Sequence, residues 1–332
     1  MNITTTTSIF DSIREDLLKV EIELSSILTH NKIEVVDKFS SHILNTSGKR
    51  LRPALLLLSA KSFNVSSEVA VKFACVFELI HTATLIHDDV IDHSSTRRGS
   101  RTLNVLWGDT LTVLFGDLLY LRAMSSAIEG RNWKMMEVLS GVTSKVIEGE
   151  LIQHDHLFDI HLDREQYFEI LERKTALLFA ACCKSGAILS GASSQTVQDF
   201  ENYGLHLGRA FQLIDDLLDY SSTATELGKP VFTDLKEGKL TLPLLLLKDA
   251  NPQTTQALIE DFWSVNSTKS TLDSVGSHLR TLLHQHQALD QTYDIAKKET
   301  EKAVAILNNP AYERESFHFF RLLPNLLLDR LK

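Results

Sequence analysis

The chain has 332 residues, 43% hydrophobic and 23% charged, with a net charge of −9. This is a globular composition, not a disordered one, and its acidic balance gives no broad electrostatic footprint for nucleic acid. With only 14 Gly and 6 Pro, it has too few turn-formers for a many-stranded β protein.

The N-terminal MNITTTTSIFDSIRED lacks the basic and apolar blocks of a signal peptide. Three cysteines, Cys75 and the adjacent pair Cys182 and Cys183, make neither a disulfide framework nor a zinc pattern and suit a reducing compartment. The apolar run around Leu244–Leu247 falls far short of the roughly 20 residues that span a bilayer. A soluble, cytoplasmic protein is expected.

Helical periodicity dominates along the chain. The stretch Ile13–Leu28 reads as an outer helix. Val69–Asp92, Leu111–Ile128, Met135–Leu157, Tyr167–Leu189 and Val197–Tyr220 are apolar enough to lie inside a bundle. Polar breaks fall between them, the two most informative at Asp92–Asn104 and Ser221–Lys239. No segment reads as an interdomain linker, so residues 1–332 are expected to form one all-α domain, a bundle of about ten or more helices. The C-terminal FHFFRLLPNLLLDRLK reads as a docked terminal helix.

Chemistry concentrates at two acidic clusters. In LIHDDVIDHSSTRRGSRTLN, Asp88 and Asp92 are spaced i, i+4, so both carboxylates leave one helix face. Like charges in sparse water are costly unless compensated. A divalent cation compensates them, and Mg²⁺ suits one or two carboxylates plus substrate phosphates. The pattern recurs in FQLIDDLLDY as Asp215, Asp216 and Asp219. One such cluster alone can be a solvated face; two, each flanked by Leu and Ile, point to opposed helices that share a highly anionic ligand.

Basic residues stand where that ligand needs them. Arg97 and Arg98 follow the first cluster, Lys229 and Lys239 bracket the segment after the second, and Lys49, Arg50 and Arg52 open a helix in SGKRLRP. SGKR is no Walker A loop, since Ile43 occupies its first glycine position. Lys174, Thr175 and Gln212 lie within apolar helices. They are satisfied core polars or, beside the aspartates, oxygen dipoles that face a cation.

These motifs resemble the all-trans polyprenyl diphosphate synthase family, the octaprenyl-like medium- and long-chain type in particular. The likeness runs through SGKRLRP, ELIHTATLIHDDVIDHSSTRRG, WGDTLTVLFGDLLY, IEGEL, RKTA, LGRAFQLIDDLLDY and GKPVFTDLKEGKLTLP, from about residue 47 to 243. It implies a homodimeric isoprenoid synthase-like fold around a deep central cavity. It also implies Mg-dependent condensation of isopentenyl diphosphate with an allylic prenyl diphosphate.

By the same resemblance Lys49, Arg52, His81 and Arg98 hold isopentenyl diphosphate, and Arg97 contacts the allylic diphosphate. Asp88, Asp92, Asp215 and Asp219 carry about two to three Mg²⁺ ions. Lys174, Thr175, Gln212, Lys229 and Lys239 surround the allylic substrate. Val231-Phe232-Thr233 stands where many members carry smaller residues, which bears on closure of that loop, and Ser100-Arg101 replaces a common Lys-Pro.

Ionisation of the allylic diphosphate, attack by the isopentenyl double bond and loss of a proton need no protein nucleophile. Ala83 and Thr84, five and four residues before Asp88, are small, and Phe77 lies deeper as a floor. By helix rise and analogy the product is expected at about six to ten isoprene units, roughly C30–C50. Such a product would partition into membrane, which leaves room for peripheral membrane contact.

Rival readings differ in the features they need. A farnesyl or geranylgeranyl synthase makes a shorter product. A terpene cyclase usually has a different second metal motif. A catalytic subunit of a heteromeric synthase needs a partner, and a non-catalytic lipid-binding or regulatory subunit would have lost the aspartates kept here. A helical phosphohydrolase needs further metal ligands, for which His154, His156 and His161 are the candidates; they read as a solvated loop.

Overall fold

The computed structural model describes residues 10–29, 33–46, 48–221, 232–264 and 269–331. It is almost wholly helical. Four helices open it: α1 (Arg14–Thr29), α2 (Glu34–Asn45), α3 (Leu51–Ser62) and α4 (Ser67–Ile91). A two-residue hairpin, β1 (Thr96–Arg97) with β2 (Ser100–Arg101), follows. Next come α5 (Leu103–Trp107), α6 (Asp109–Glu129), α7 (Trp133–Asp155), α8 (Arg164–Leu171), α9 (Leu177–Leu189) and α10 (Ser194–Ser221). The C-terminal part holds α11 (Thr233–Lys236), α12 (Leu242–Ala250), α13 (Pro252–Trp263), α14 (Lys269–Gln285), α15 (Ala288–Ile306) and α16 (His318–Leu328).

Local chemistry sets the helix starts. Asn132 caps α7 by accepting from the Met135 amide, and Asp163 with Gln166 forms a reciprocal capping box on α8. Pro243 and Pro252 sit in the first turns of α12 and α13, where a missing amide costs nothing. The stretch expected as one helix from Tyr167 to Leu189 is continuous but contains a π turn at Glu172–Ala176, between α8 and α9.

Two hydrophobic clusters share the long α10. Phe200, Tyr203 and Leu207 belong to the first, with Leu55–Leu58, Phe73, Phe77, Phe179 and Phe320. Leu213, Ile214 and Tyr220 belong to the second, with Leu242, Leu244–Leu247, Ile259, Leu279 and Leu283. The cavity described below opens where α4, α7, the α8–α9 helix and α10 face one another.

Two expectations need correction. α4 and α6 are each long and apolar enough to cross a membrane by length and composition, because mixed apolar residues, not one unbroken run, meet that criterion; most of the α4 window is buried inside the protein. α6 does not lie wholly inside the bundle. Leu114, Leu121 and Ile128, one residue in seven, are each about 60% exposed on it, and Ile147 and Leu151 are exposed on α7. In α1, Leu18 and Ile22 face outward, while Val20, Leu24 and Leu28 make the buried stripe.

Candidate active site

α4 brings Ile80, His81, Thr84, Leu85 and Asp88 to the wall of a cavity of about 370 Å³. Their spacing is one helical stripe, and it runs from an apolar interior to an acidic end. Burial pushes the Asp88 carboxyl up to about 7; Lys174 opposes that shift, and Glu150 and Asp92 add to it. The helix stops at Ile91, so Asp92 is its C-terminal cap, with its amide on the Asp88 carbonyl at 2.8 Å. Its Oδ2 accepts from Lys239 Nζ at 3.0 Å, and Lys239 also meets Glu237 at 2.7 Å. Lys239 thus ties the segment after the second acidic cluster to the first. Asp89, between them, turns away and accepts from Arg97 Nε at 2.8 Å.

The loop expected after the first cluster is a tight hairpin. Arg98 (φ 51°) and Gly99 (φ 77°) are its two turn residues, and two positive φ angles match the twist of a two-residue β-turn. Arg98 is held over Gly48 and donates from Nη1 to the Thr46 carbonyl at 3.3 Å. Deeper, Arg52 Nη1 lies 2.8 Å from His81 Nε2, and its guanidinium sits 5.3 Å from the Phe179 ring centroid. Burial and then the positive Arg52, Arg98, Arg97 and Arg50 keep the His81 imidazole well below its ordinary pKa. It is therefore neutral and accepts from Arg52. Arg52 Nε is buried with no partner among the described residues, an unspent donor beside the cavity that Arg52 lines.

The opposite wall is a relay. Thr175 Oγ1 donates to Gln212 Oε1 at 2.8 Å, and Gln212 Nε2 donates to Asp216 Oδ1 at 2.7 Å. Tyr167 donates to Asp216 Oδ2 at 2.5 Å. Asp216 is almost wholly buried, and burial raises its carboxyl to about 7 against those two hydrogen bonds. Lys174 Nζ reaches Glu150 on α7 at 2.5 Å. Asp215 is half exposed and takes Arg330 Nη2 at 2.8 Å; Arg330 lies 4.9 Å from the Phe211 ring centroid. Asp219 accepts from the Thr233 and Asp234 amides at 3.1 and 3.2 Å, and so caps α11. Phe232 just before α11 has φ 59°, unfavourable for a bulky residue; its ring is buried 5.3 Å from that of Tyr220.

The cavity therefore brings together Arg52, His81, Thr84, Asp88, Arg97, Arg98, Lys174, Thr175, Gln212, Asp215 and Lys239 from the sequence reading. Asp92 and Asp219 reach it through Lys239 and Asp234. Lys49 is exposed and does not line it, Arg50 is engaged with Glu21 and Glu78, and Lys229 lies outside the described residues.

Ala83 and Phe77 need correction as cavity residues. Both are sealed in the first hydrophobic cluster, off the stripe that Ile80 and Thr84 occupy. Apolar residues that do line the cavity include Ile80, Val146 and Leu178. His156 is no solvated loop residue either: it closes α7, is half-buried, and pairs with Asp159 at 2.8 Å.

Sequence reasoning missed Glu150, Tyr167 and Asp234. Glu150 was detectable as the one acid on the Val146, Glu150, Gln153, Leu157 stripe of α7. Asp234 carries a carboxyl that burial, Asp219 and Asp216 push well above its usual range.

Among the described residues no three His, Cys, Asp or Glu side chains converge on a ready-made metal cage. The donor set instead fits a hard cation that shares its shell with a ligand. It has acid-rich walls, with the Asp88, Asp216 and Asp234 carboxyls raised by burial, and arginines and lysines in the same lining as apolar side chains.

The family model described as polyprenyl synthetase matches residues 33–276. The chain is 35% identical over 279 residues to an octaprenyl diphosphate synthase of Escherichia coli (strain K12), covering 84% of this chain and 85% of that one. It superposes with a TM-score of 0.89 on a decaprenyl diphosphate synthase from Rhodobacter capsulatus, 30% identical, covering 98% and 99% of the two chains. A polyprenyl synthase from Caulobacter crescentus CB15, complexed with calcium and isoprenyl diphosphate, also gives 0.89, at 32% identity and 98% and 97% coverage.

Proposed function

The chain belongs to the polyprenyl synthetase family and is a trans-prenyltransferase, and from that premise we propose that it condenses isopentenyl diphosphate with an allylic prenyl diphosphate to give an all-trans product of about six to ten isoprene units. The observation that carries this reading is the amphiphilic cavity. Its lining combines Asp88, Asp215, Arg97, Arg98 and Lys239 with apolar side chains such as Ile80, Val146 and Leu178. A ligand with a diphosphate head and a hydrocarbon tail matches both kinds of lining.

Asp88 and Asp92 on one side and Asp215 and Asp219 on the other would hold Mg²⁺ together with the allylic diphosphate. Bound there, the metal would neutralise charge as the allylic C–O bond ionises. The protein's own part is electrostatic and positional. Arg97 and Lys239 draw the leaving diphosphate. Arg52, neutral His81 and Arg98 orient isopentenyl diphosphate. Thr175 and Gln212, fixed by Asp216, turn their oxygens toward the cation. The isopentenyl double bond then forms the new C–C bond, and a proton is lost to the released diphosphate. Catalysis needs no covalent enzyme intermediate.

A homodimer is part of the proposal, supported by the uncovered apolar stripe of Leu114, Leu121 and Ile128 on α6 beside Ile147 and Leu151 on α7. A reducing, cytoplasmic setting fits three buried, unpaired cysteines.

The test is an assay of the purified chain alone with labelled isopentenyl diphosphate, farnesyl diphosphate and Mg²⁺, with products sized after phosphatase treatment. A ladder that ends at about C30–C50 is expected. Arrest at three or four units refutes the long-chain assignment, and no incorporation with any primer refutes a self-sufficient enzyme.

A further inference from the structure

The π turn is pinned residue by residue. Glu172 Oε1 accepts from Arg209 Nη2 on α10 at 2.6 Å, and Arg173 pairs with Glu148 on α7 and Glu169 on α8. Lys174 meets Glu150 at 2.5 Å, and Thr175 meets Gln212 at 2.8 Å. The Leu177 amide bonds the Glu172 carbonyl, the i to i−5 contact of a π turn. Two glycines let the neighbouring helices close on it. A Cβ at Gly149 would stand 2.6 Å from Arg173 Cβ, and one at Gly208 would stand 2.6 Å from Ala176 Cα.

Such a turn holds one residue more than the α turn it replaces, so it re-phases the side chains across it by about 100°. Where the extra residue sits therefore fixes which way Lys174 and Thr175 point. Lys174 and Thr175 line the cavity, whereas Glu172 and Arg173 do not.

Arg209 reaches this turn from α10, has no part in the chemistry described above, and is itself braced from behind. Its Nη1 lies 3.5 Å from Glu299 Oε2 on α15. Glu299 is buried and receives His206 Nδ1 at 2.7 Å and Lys302 Nζ at 2.6 Å. Arg209, Gln212 and Asp216 follow one face of α10 at i, i+3 and i+7, so one face carries both the clamp on Glu172 and the relay to Thr175.

We propose that Arg209 is a positioning residue for prenyl transfer: its guanidinium, braced by Glu299, holds Glu172 and thereby sets where the π turn lies and which way Lys174 and Thr175 face. This rests on the trans-prenyl transfer reading only for its effect on turnover; the placement of the turn is a property of the ligand-free chain.

The test uses the full-length protein with Arg209→Met, Arg209→Lys and Glu172→Gln. Amide hydrogen exchange over residues 170–178 should accelerate by about tenfold or more in Arg209→Met, with the remaining helices unchanged. Glu172→Gln keeps the shape and should show the same local change, which covers the case in which Arg209→Met folds poorly.

In turnover, kcat should fall about tenfold. KM for isopentenyl diphosphate, set by Arg52 and His81 on other helices, should move less than about twofold, and Arg209→Lys should recover most of the loss. In a Lys174→Ala, Thr175→Ala background, Arg209→Met should cost less than about twofold further. Unchanged exchange at 170–178 overturns the inference, and so does a kcat loss that is fully additive with the Lys174 and Thr175 substitutions. The exchange readout needs no substrate, so its failure falls on this inference alone, whereas an inactive wild type falls on the proposed function.

Discussion

Gly48→Ala separates anion binding from folding. A Cβ on Gly48 would stand 2.5 Å from both Arg98 terminal nitrogens and 2.6 Å from Cζ. Ordinary contact needs roughly 3.5 Å, so the guanidinium must retreat by about 1 Å. That retreat costs the fold little, because the atoms in the way are the far end of a flexible side chain, and Gly→Ala at a compatible backbone position is neutral or mildly stabilising. The cost falls on the diphosphate that Arg98 is proposed to hold. A hydrogen bond to a charged group contributes about 1.5–3 kcal/mol, or about 10- to 100-fold in affinity when lost outright. With Arg52 still in place, the lower end applies. Steady-state assays should show KM for isopentenyl diphosphate up about tenfold, kcat at saturation within about threefold, and KM for the allylic substrate nearly unchanged. Thermal melts should stay within a few degrees of wild type. An unaltered KM in a protein with an unaltered melt would refute Arg98 as a diphosphate ligand, and a large fall in Tm would refute the claim that the clash is relieved cheaply.

Asp88→Ala should lower kcat by about 10²–10³-fold, while calorimetry finds isopentenyl diphosphate binding nearly intact; near-normal turnover would sink the metal-site assignment. Thr84→Phe, on the cavity wall, should shorten the product in chromatographic sizing. Ala83→Phe, inside the packed core, should chiefly lower stability by about 1–3 kcal/mol; the opposite ranking on product length would restore Ala83 as the gate. Burial raises the Asp88 and Asp216 carboxyls from 3.8 to about 7 in the folded chain. The folded state therefore favours their protonated forms, and the stability they contribute is full below about 3.8 and lost as pH rises through about 7. Melts of metal-free protein should fall across that window, and Mg²⁺ with inorganic diphosphate should raise Tm more at pH 8 than at pH 5. A Tm gain independent of pH would remove Asp88 from the metal site.

The amino-acid sequence by itself determined the helical class and the two acidic clusters. Long segments poor in Gly and Pro with 3.6-residue periodicity have few alternatives, and the i, i+4 spacing of Asp88 and Asp92 follows one helix face. Tertiary structure decided whatever depends on a neighbour from elsewhere in the chain. Asp216 became the buried anchor and Asp215 the exposed one because Tyr167 and Gln212 supply donors to the first and Arg330 to the second. Phe77 and Ala83 went to the core because the packing of α4 turned the Ile80–Thr84 stripe, and not theirs, to the cavity. The Arg98–Gly99 turn, the π turn at Glu172–Ala176 and the open face of α6 were likewise hidden. Periodicity reports which residues avoid water, whereas a bulge or an uncovered stripe arises from helices meeting at contacts distant in sequence, where Gly149 and Gly208 and the Arg209–Glu172 pair choose one close approach among several of similar apolar pattern.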